Sequence, residues 1–318
     1  MLKRPQSAHI LVASAVPLEL ECEAMRRHFL SLSSSPLGAA PLRVALLNLM
    51  PAKRTAYRQI HGLLELAGQP FELSQYRVCQ PEEAELQHPD WHVAQALPTT
   101  RALMASAPDF LIINGAPVGQ KRFEDVSFMP ELAAVYDWSR LHVRSTLNIC
   151  WAAVAALHHF RGVTRQLAVH KFSGVYYPQV SDPHDALMVQ MPAHYPVPVS
   201  RYSFVTPDHL HDVRGVQVLS SDVHSGVALA RDRANRQILS FNHPEYEADT
   251  LAREYQRDCA AGRHPDLPVN YFMQHDPRQA PAQPFWQQAA RSLVTNWLAE
   301  GQHVPVMRPR AVLLSRVS

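Results

Sequence analysis

This 318-residue chain has almost no excess of charge: 30 Lys and Arg stand against 28 Asp and Glu, with 18 His counted as neutral. It lacks any long basic run. The short pairs Lys3-Arg4 and Lys121-Arg122 read as solvated surface, so no nucleic-acid or other polyanion partner is expected. Cysteine is scarce. Cys22, Cys79, Cys150 and Cys259 show no CxxC spacing and are too few to frame a chain this long with disulfides, which points to a reducing cytoplasm. No stretch approaches the ~18 apolar residues that a membrane span needs. There is no HExxH, and the adjacent His158 and His159 would project to different faces of a helix, so no metal site is expected. Internal repeats and low-complexity blocks are absent. At the N-terminus, Lys3-Arg4 precedes the apolar Ile10-Leu-Val-Ala-Ser-Ala-Val16, but Glu19, Glu21 and Glu23 follow at once. That segment reads as a core strand rather than a signal peptide.

The remaining features are a length that fits one large α/β domain or two smaller ones and a regular alternation of elements. Leu42–Leu49 and Asp109–Ile113 are short apolar runs of the kind that form buried parallel strands, Phe71–Val78 reads as the strand between them, and Ser145–Ile149 as the strand before Cys150. Between them, Tyr57–Leu66 and Leu132–Arg140 have helical spacing. Strands are also expected at Val216–Leu219, Val227–Arg231 and Gln237–Phe241, and helices at Glu247–Ala261 and Ser292–Glu300. Residues 165–230 look less regular overall, and the five prolines of Gly262–Pro284 suggest a surface wrap. The alternation predicts an α/β fold, a mostly parallel sheet with helices on both faces. Three parts are expected: an N-terminal extension over 1–40, one α/β domain over 41–300, and a tail over 301–318.

Chemistry concentrates at Cys150. Ser145-Thr-Leu-Asn-Ile149 reads as a strand that stops at this cysteine, and the small-residue run from Ala152 reads as a helix. A strand-to-helix turn lifts a side chain out of the sheet to a helix N-terminus, where partial positive charge favours a thiolate and backbone N–H groups can hold an oxyanion. His243 follows another apolar run. The next residue, Pro244, holds it extended, and Glu245 stands two positions on, able to orient the ring. Cys150, His243 and Glu245 are thus the parts of a nucleophilic acyl-transfer site, with the imidazole moving the proton. Gly115, in the loop Asn114-Gly-Ala-Pro-Val-Gly119, suits either a plain turn or close approach of backbone to a carbonyl oxygen. Backbone N–H groups at Gly115 and Trp151 are the oxyanion candidates. Asn48, Gly115, Cys150 and His243 all fall at strand ends, so they are expected to share the carboxyl edge of the sheet, where ligands gather.

Several segments together resemble the homoserine O-acyltransferases of the homoserine O-succinyltransferase type: Leu47-Asn-Leu-Met-Pro51, Gly115–Gly119, Cys150-Trp151-Ala152, Lys171-Phe-Ser-Gly-Val-Tyr176, His243-Pro-Glu-Tyr246, Asn270-Tyr-Phe272 and Thr295-Asn-Trp-Leu298. The resemblance implies a class I glutamine-amidotransferase-like (flavodoxin-like) fold without glutaminase activity. It further implies ping-pong transfer from an acyl-CoA to homoserine without a cofactor, cytoplasmic location and a homodimer. By motif, Lys171 and Arg257 would hold the acceptor amino acid, Arg257 through its carboxylate, and Ser200 matches a position tied to acceptor choice. Gly119 matches the position tied to acyl choice. Glycine there suits succinyl-CoA, whereas a glutamate would repel the succinyl carboxylate and suit acetyl-CoA. The chain departs from the family pattern at Ala52-Lys-Arg54, His170, Val199 and Asn242, changes expected to cluster at the acceptor pocket. Transfer of acetyl, or transfer to L-serine, therefore stays open, as does a non-catalytic binding protein on the same scaffold. A glutamine amidotransferase is disfavoured, because Asn148-Ile-Cys150-Trp-Ala152 lacks the glycines that usually flank that nucleophile.

Overall fold

The structure is a computed structural model that describes residues 40–281 and 283–307. The described residues, Ala40 apart, belong to one compact unit that begins at Pro41. The strand expected at Ile10–Val16, the N-terminal extension and the end of the tail lie outside the described residues.

The chain builds β1 (Leu42–Leu47), α1 (Lys53–Glu65), β2 (Phe71–Tyr76), α2 (Thr100–Ser106), β3 (Phe110–Ile113), α3 (Met129–His142), β4 (Ser145–Ile149) and α4 (Trp151–Arg161). It continues through β5 (Gln166–Tyr176), β6 (Gln179–Val180), β7 (Val197–Phe204), β8 (Val216–Asp222), β9 (Gly226–Asp232), β10 (Gln237–Ser240), α5 (Thr250–Ala260) and α6 (Gln287–Gly301). Short helices fill the connections around residues 83–96 and 207–210. An eight-stranded sheet runs in the order β2-β1-β3-β4-β10-β9-β8-β6. Its first five strands are parallel, and β9, β8 and β6 extend it antiparallel.

Alternation along the strands sorts side chains to opposite faces. Ala45, Leu47, Leu111 and Ile113 join one apolar cluster with Val135, Tyr136 and the Trp151–Leu157 run of α4. Val44, Leu46, Phe110 and Ile112 join another with Ile60, Leu64, Leu293, Val294 and Trp297 of α1 and α6. The helices therefore cover both faces, as expected for a buried parallel sheet. Ala152, Ala153, Ala155 and Ala156 are fully buried, and these small residues let α4 lie close to the sheet. The helix ends at Gly162, whose left-handed φ of 66° lets its N–H donate to the His158 carbonyl at 2.8 Å.

The expected strands and helices of the sheet are present, with ends shifted by a few residues. Residues 165–230 are more ordered than their composition implies: β5 and β7 pair antiparallel as a separate two-stranded sheet. The proline-rich segment after α5 is tied to this sheet through Val269, whose backbone exchanges hydrogen bonds with Val175 and Ser173 at 2.8 and 2.9 Å. Gly174 has a φ of 140°, and a Cβ there would fall within 2.4 Å of the Val269 backbone, so only glycine permits the join. Among the described residues no helix is long and apolar enough to cross a membrane.

Candidate active site

Cys150 sits between β4 and α4 with φ 55° and ψ −116°, a conformation that ordinary L-residues avoid. Such strain costs about 1–3 kcal/mol and persists only where the surroundings over-determine it. Burial of one large apolar side chain is worth about as much, roughly 1.5–3 kcal/mol, and this turn is flanked by Ile149 and Trp151, both essentially sealed from solvent. The Cys150 N–H also donates to the Ser240 carbonyl at 2.7 Å, which fixes the turn to β10. The geometry is that of a nucleophile elbow, with the thiol presented above the sheet edge.

β10 leads directly to His243. The His243 N–H donates to the Pro198 carbonyl of β7 at 2.9 Å, and its ring stacks on Tyr246 with centroids 4.2 Å apart. Nδ1–H donates to Glu245 Oε1 at 2.8 Å, and both side chains are buried. Burial works against a charged ring, but the negative charges of Cys150 and Glu245 outweigh it and hold His243 well above its ordinary pKa. Nε2 is buried without an aligned hydrogen-bond partner, so its interaction with Cys150 is chiefly one of charge. An imidazole held through Nδ1 and open at Nε2 is arranged to exchange a proton with a neighbouring thiol.

Gly115 lies against this elbow. A Cβ at Gly115 would stand 3.3 Å from Cys150 Cβ and 3.8 Å from the Trp151 nitrogen, so the glycine brings two backbone segments together beside the sulfur. Neither crowding nor φ demands glycine at 119. A Cβ there would meet only Ser203 Oγ, at 3.8 Å, so its side opens onto free space. Asn48 and Asn114 brace the same edge: Asn114 Nδ2 donates to Asn48 Oδ1 at 2.9 Å, and Leu49 N–H donates to Asn114 Oδ1 at 2.7 Å. The strand-end residues do share one edge.

Lys171 and Ser200 meet through a residue that sequence reasoning missed, Glu254. It accepts from Ser200 Oγ, from Lys171 Nζ at 3.2 Å and from Tyr246 Oη at 2.7 Å. Burial opposes its charge, yet Lys171 and the two hydroxyl donors keep its pKa below the ordinary value. Arg257 joins this group only indirectly. Its guanidinium is mostly exposed and holds Asp258 Oδ1 at 2.9 Å, while Asp258 Oδ2 lies 3.6 Å from Lys171. Glu254 stands one helical turn before Arg257, the spacing that would have marked it.

The departures do not cluster as expected. The His170 side chain is exposed and faces Asp266 at 3.6 Å, Val199 is sealed in the core, and Asn242 Oδ1 accepts from Arg201 at 3.3 Å. Lys53 is fully buried against Glu85 at 3.0 Å and donates to the Asn48 carbonyl at 2.8 Å.

A parallel-sheet elbow bearing a cysteine, with a histidine–glutamate pair at the next strand end, defines a class I glutamine-amidotransferase-like fold. The chain superposes on a glutamine amidotransferase from Thermotoga maritima with a TM-score of 0.52 at 10% identity, covering 83% of this chain and 97% of that one. At that identity the likeness speaks to fold alone. The family model described as homoserine O-succinyltransferase matches residues 33–305. A homoserine O-acetyltransferase from Streptococcus thermophilus is 36% identical over 259 residues, 81% of each chain. A homoserine O-succinyltransferase from Alteromonas mediterranea is 34% identical over 258 residues, 81% of this chain and 82% of that one. The chain belongs to the homoserine O-succinyltransferase family, and its class of chemistry is acyl transfer.

Proposed function

We propose that this enzyme transfers a succinyl group from succinyl-CoA to the hydroxyl of L-homoserine through a thioester on Cys150. The observation that carries the proposal is the strained cysteine elbow facing a histidine whose far nitrogen is held by Glu245. Cys150 sulfur attacks the thioester carbonyl, the oxyanion meets the N–H groups of Gly115 and Trp151, and the carbon–sulfur bond to CoA breaks. His243, protonated, gives its proton to the departing CoA thiolate.

The charge on Cys150 is the largest influence raising the His243 pKa. Once the sulfur is a neutral thioester that influence is gone, and burial draws the pKa down. The ring becomes a base just when homoserine's hydroxyl needs one. The hydroxyl attacks the acyl-enzyme, its proton passes to Nε2, and Cys150 is released as a thiolate beside a protonated ring. Lys171, Ser200 and Glu254 border the acceptor, with Glu254 matched to its ammonium and Arg257 to its carboxylate. CoA esters are substrates here, and no resident cofactor takes part. Open space beside Gly119 favours the longer donor, although an acetyltransferase is among the relatives. The resemblance also supports a homodimeric cytoplasmic enzyme of methionine biosynthesis.

The test is CoA release with succinyl-CoA or acetyl-CoA and with L-homoserine or L-serine. Fastest turnover with succinyl-CoA and homoserine is expected. A higher kcat/KM for acetyl-CoA, or for serine, would overturn the corresponding half of the assignment.

A further inference from the structure

Arg201 is nearly inaccessible to solvent, and among the described residues no carboxylate is paired with it directly, although the charge of Asp222 reaches it. It follows Ser200 on β7, so the two side chains leave the strand on opposite faces. Ser200 turns to Glu254, whereas Arg201 turns away from that cluster. Nη1 donates to the Ser203 carbonyl at 3.1 Å, and Nη2 donates to the Ser225 carbonyl at 2.8 Å and to Asn242 Oδ1 at 3.3 Å. Its Nε is buried with no partner. A guanidinium has five N–H donors, so two are unclaimed. An uncompensated buried cation is expensive, which is why buried charges are found paired or hydrogen-bonded. Burial lowers its pKa to about 10, and the charge that most favours its protonated form is that of Cys150. Phe172 covers it, with the guanidinium carbon 5.8 Å from the ring centre.

The position of Arg201 relative to the donor side gives it a role. Ser203, whose carbonyl accepts from Arg201, is also the residue that a side chain at 119 would meet first. Gly119 and Arg201 therefore both border Ser203, and Cys150 is near enough for its charge to favour the Arg201 cation. We infer that Arg201 is the specificity-determining cation of the acyl pocket, and that its unclaimed Nε–H donates to the terminal carboxylate of a dicarboxylic half-acyl group such as succinyl. This deepens the donor half of the proposed function and rests on it. A succinyl group on Cys150 ends in a carboxylate two methylenes beyond the thioester carbonyl, so its counter-ion must be near the sulfur but not bonded to it. A glutamate at 119 would occupy that region with its own carboxylate and neutralise Arg201. An acetyl group presents no charge and gains nothing from the guanidinium. Asn242, where the family pattern has glycine, is explained by the same contact, since its amide oxygen steadies Arg201 one residue before the base.

The experiment measures the rate of Cys150 acylation by succinyl-CoA and by acetyl-CoA, without acceptor, as CoA released in a single turnover. The proteins are wild type, Arg201→Gln, Arg201→Lys, Gly119→Glu and the Arg201→Gln/Gly119→Glu double variant. The readout is the ratio of the two rates, which does not depend on the fraction of protein folded. Arg201→Gln is expected to lower the succinyl-to-acetyl ratio at least tenfold, and Arg201→Lys to lower it less. Gly119→Glu should change the ratio strongly in wild type and weakly when Arg201 is already Gln. Equal slowing with both donors in Arg201→Gln, or full additivity of the two changes, would overturn the assignment while leaving the cysteine chemistry intact. If wild type forms no adduct with either donor, the acyl-enzyme reading itself fails, and this inference with it.

Discussion

Replacing Glu245 by Gln preserves shape and removes one charge, so it isolates what the carboxylate contributes. The His243 Nδ1–H to Glu245 Oε1 bond is 2.8 Å long, and the two side chains are only 8% and 7% exposed, so Gln Oε1 can still accept the bond but solvent cannot replace the lost charge. A hydrogen bond to a charged group is worth about 1.5–3 kcal/mol against about 0.5–1.5 for a neutral pair, so the charge itself accounts for about 1–1.5 kcal/mol. If that difference is felt only while the ring is charged, acylation slows by about tenfold. The pH profile moves as well. Glu245 is one of the groups holding the His243 pKa up, so its removal lets the pKa fall. The alkaline limb of acylation, where the ring loses the proton that CoA needs, then shifts to lower pH. Stopped-flow CoA release across a pH series reads both effects. A variant within twofold of wild type, with its alkaline limb unmoved, would refute the role given to Glu245.

Gly115→Ala places a methyl 3.3 Å from Cys150 Cβ, which forces the elbow to shift by a few tenths of an ångström. Displacements of this kind are costly in oriented reactions, so acylation should fall by about tenfold or more with an unchanged melting temperature; full activity would remove Gly115 from the site. Glu254 has a lowered pKa, so its contribution to stability is complete above the ordinary carboxylate range and is lost as pH falls through the lowered value. Glu254→Gln should therefore flatten the acid side of a melting-temperature series and raise KM for homoserine, and an unaltered acid limb would contradict its charged state. Gly301→Ala would bring a Cβ within 2.2 Å of the Phe110 ring in the core. Overpacking of this sort costs about 1–3 kcal/mol, visible as a lower midpoint in a urea titration with acylation by the folded fraction unchanged.

The sheet was legible where burial is two-sided. β3 is a continuous apolar run and β1 nearly so, broken only by Arg43, and such runs beside helical periodicity leave few alternatives to a parallel strand; β4 carries Ser145, Thr146 and Asn148 but is buried throughout. β5 and β7 were hidden because they lie in a two-stranded sheet outside the main layer. β5 is largely exposed over its first half and carries Lys171, and β7 carries Arg201 at a buried position. The candidate set was legible because Cys150 and His243 follow closely on the ends of β4 and β10, with Glu245 two residues on, and strand ends of a parallel sheet converge without any need to know the loops. Glu254 was not. On an amphipathic helix a glutamate normally marks the solvent face, and the groups that bury this one, Lys171, Ser200 and Tyr246, come from three distant segments. Arg201 was obscured in the same way, since its neighbours Ser203, Ser225 and Asn242 are assembled only by the pairing of β7 and the turn into β9.

Covalent catalysis by Cys150 is tested most directly by an intact-protein mass spectrum after mixing with succinyl-CoA in the absence of acceptor. A single succinyl adduct is expected, localised by peptide mapping to Cys150, absent from Cys150→Ala and discharged on addition of L-homoserine. An unmodified protein that nevertheless turns over with both substrates present, or an adduct that survives Cys150→Ala, would contradict it.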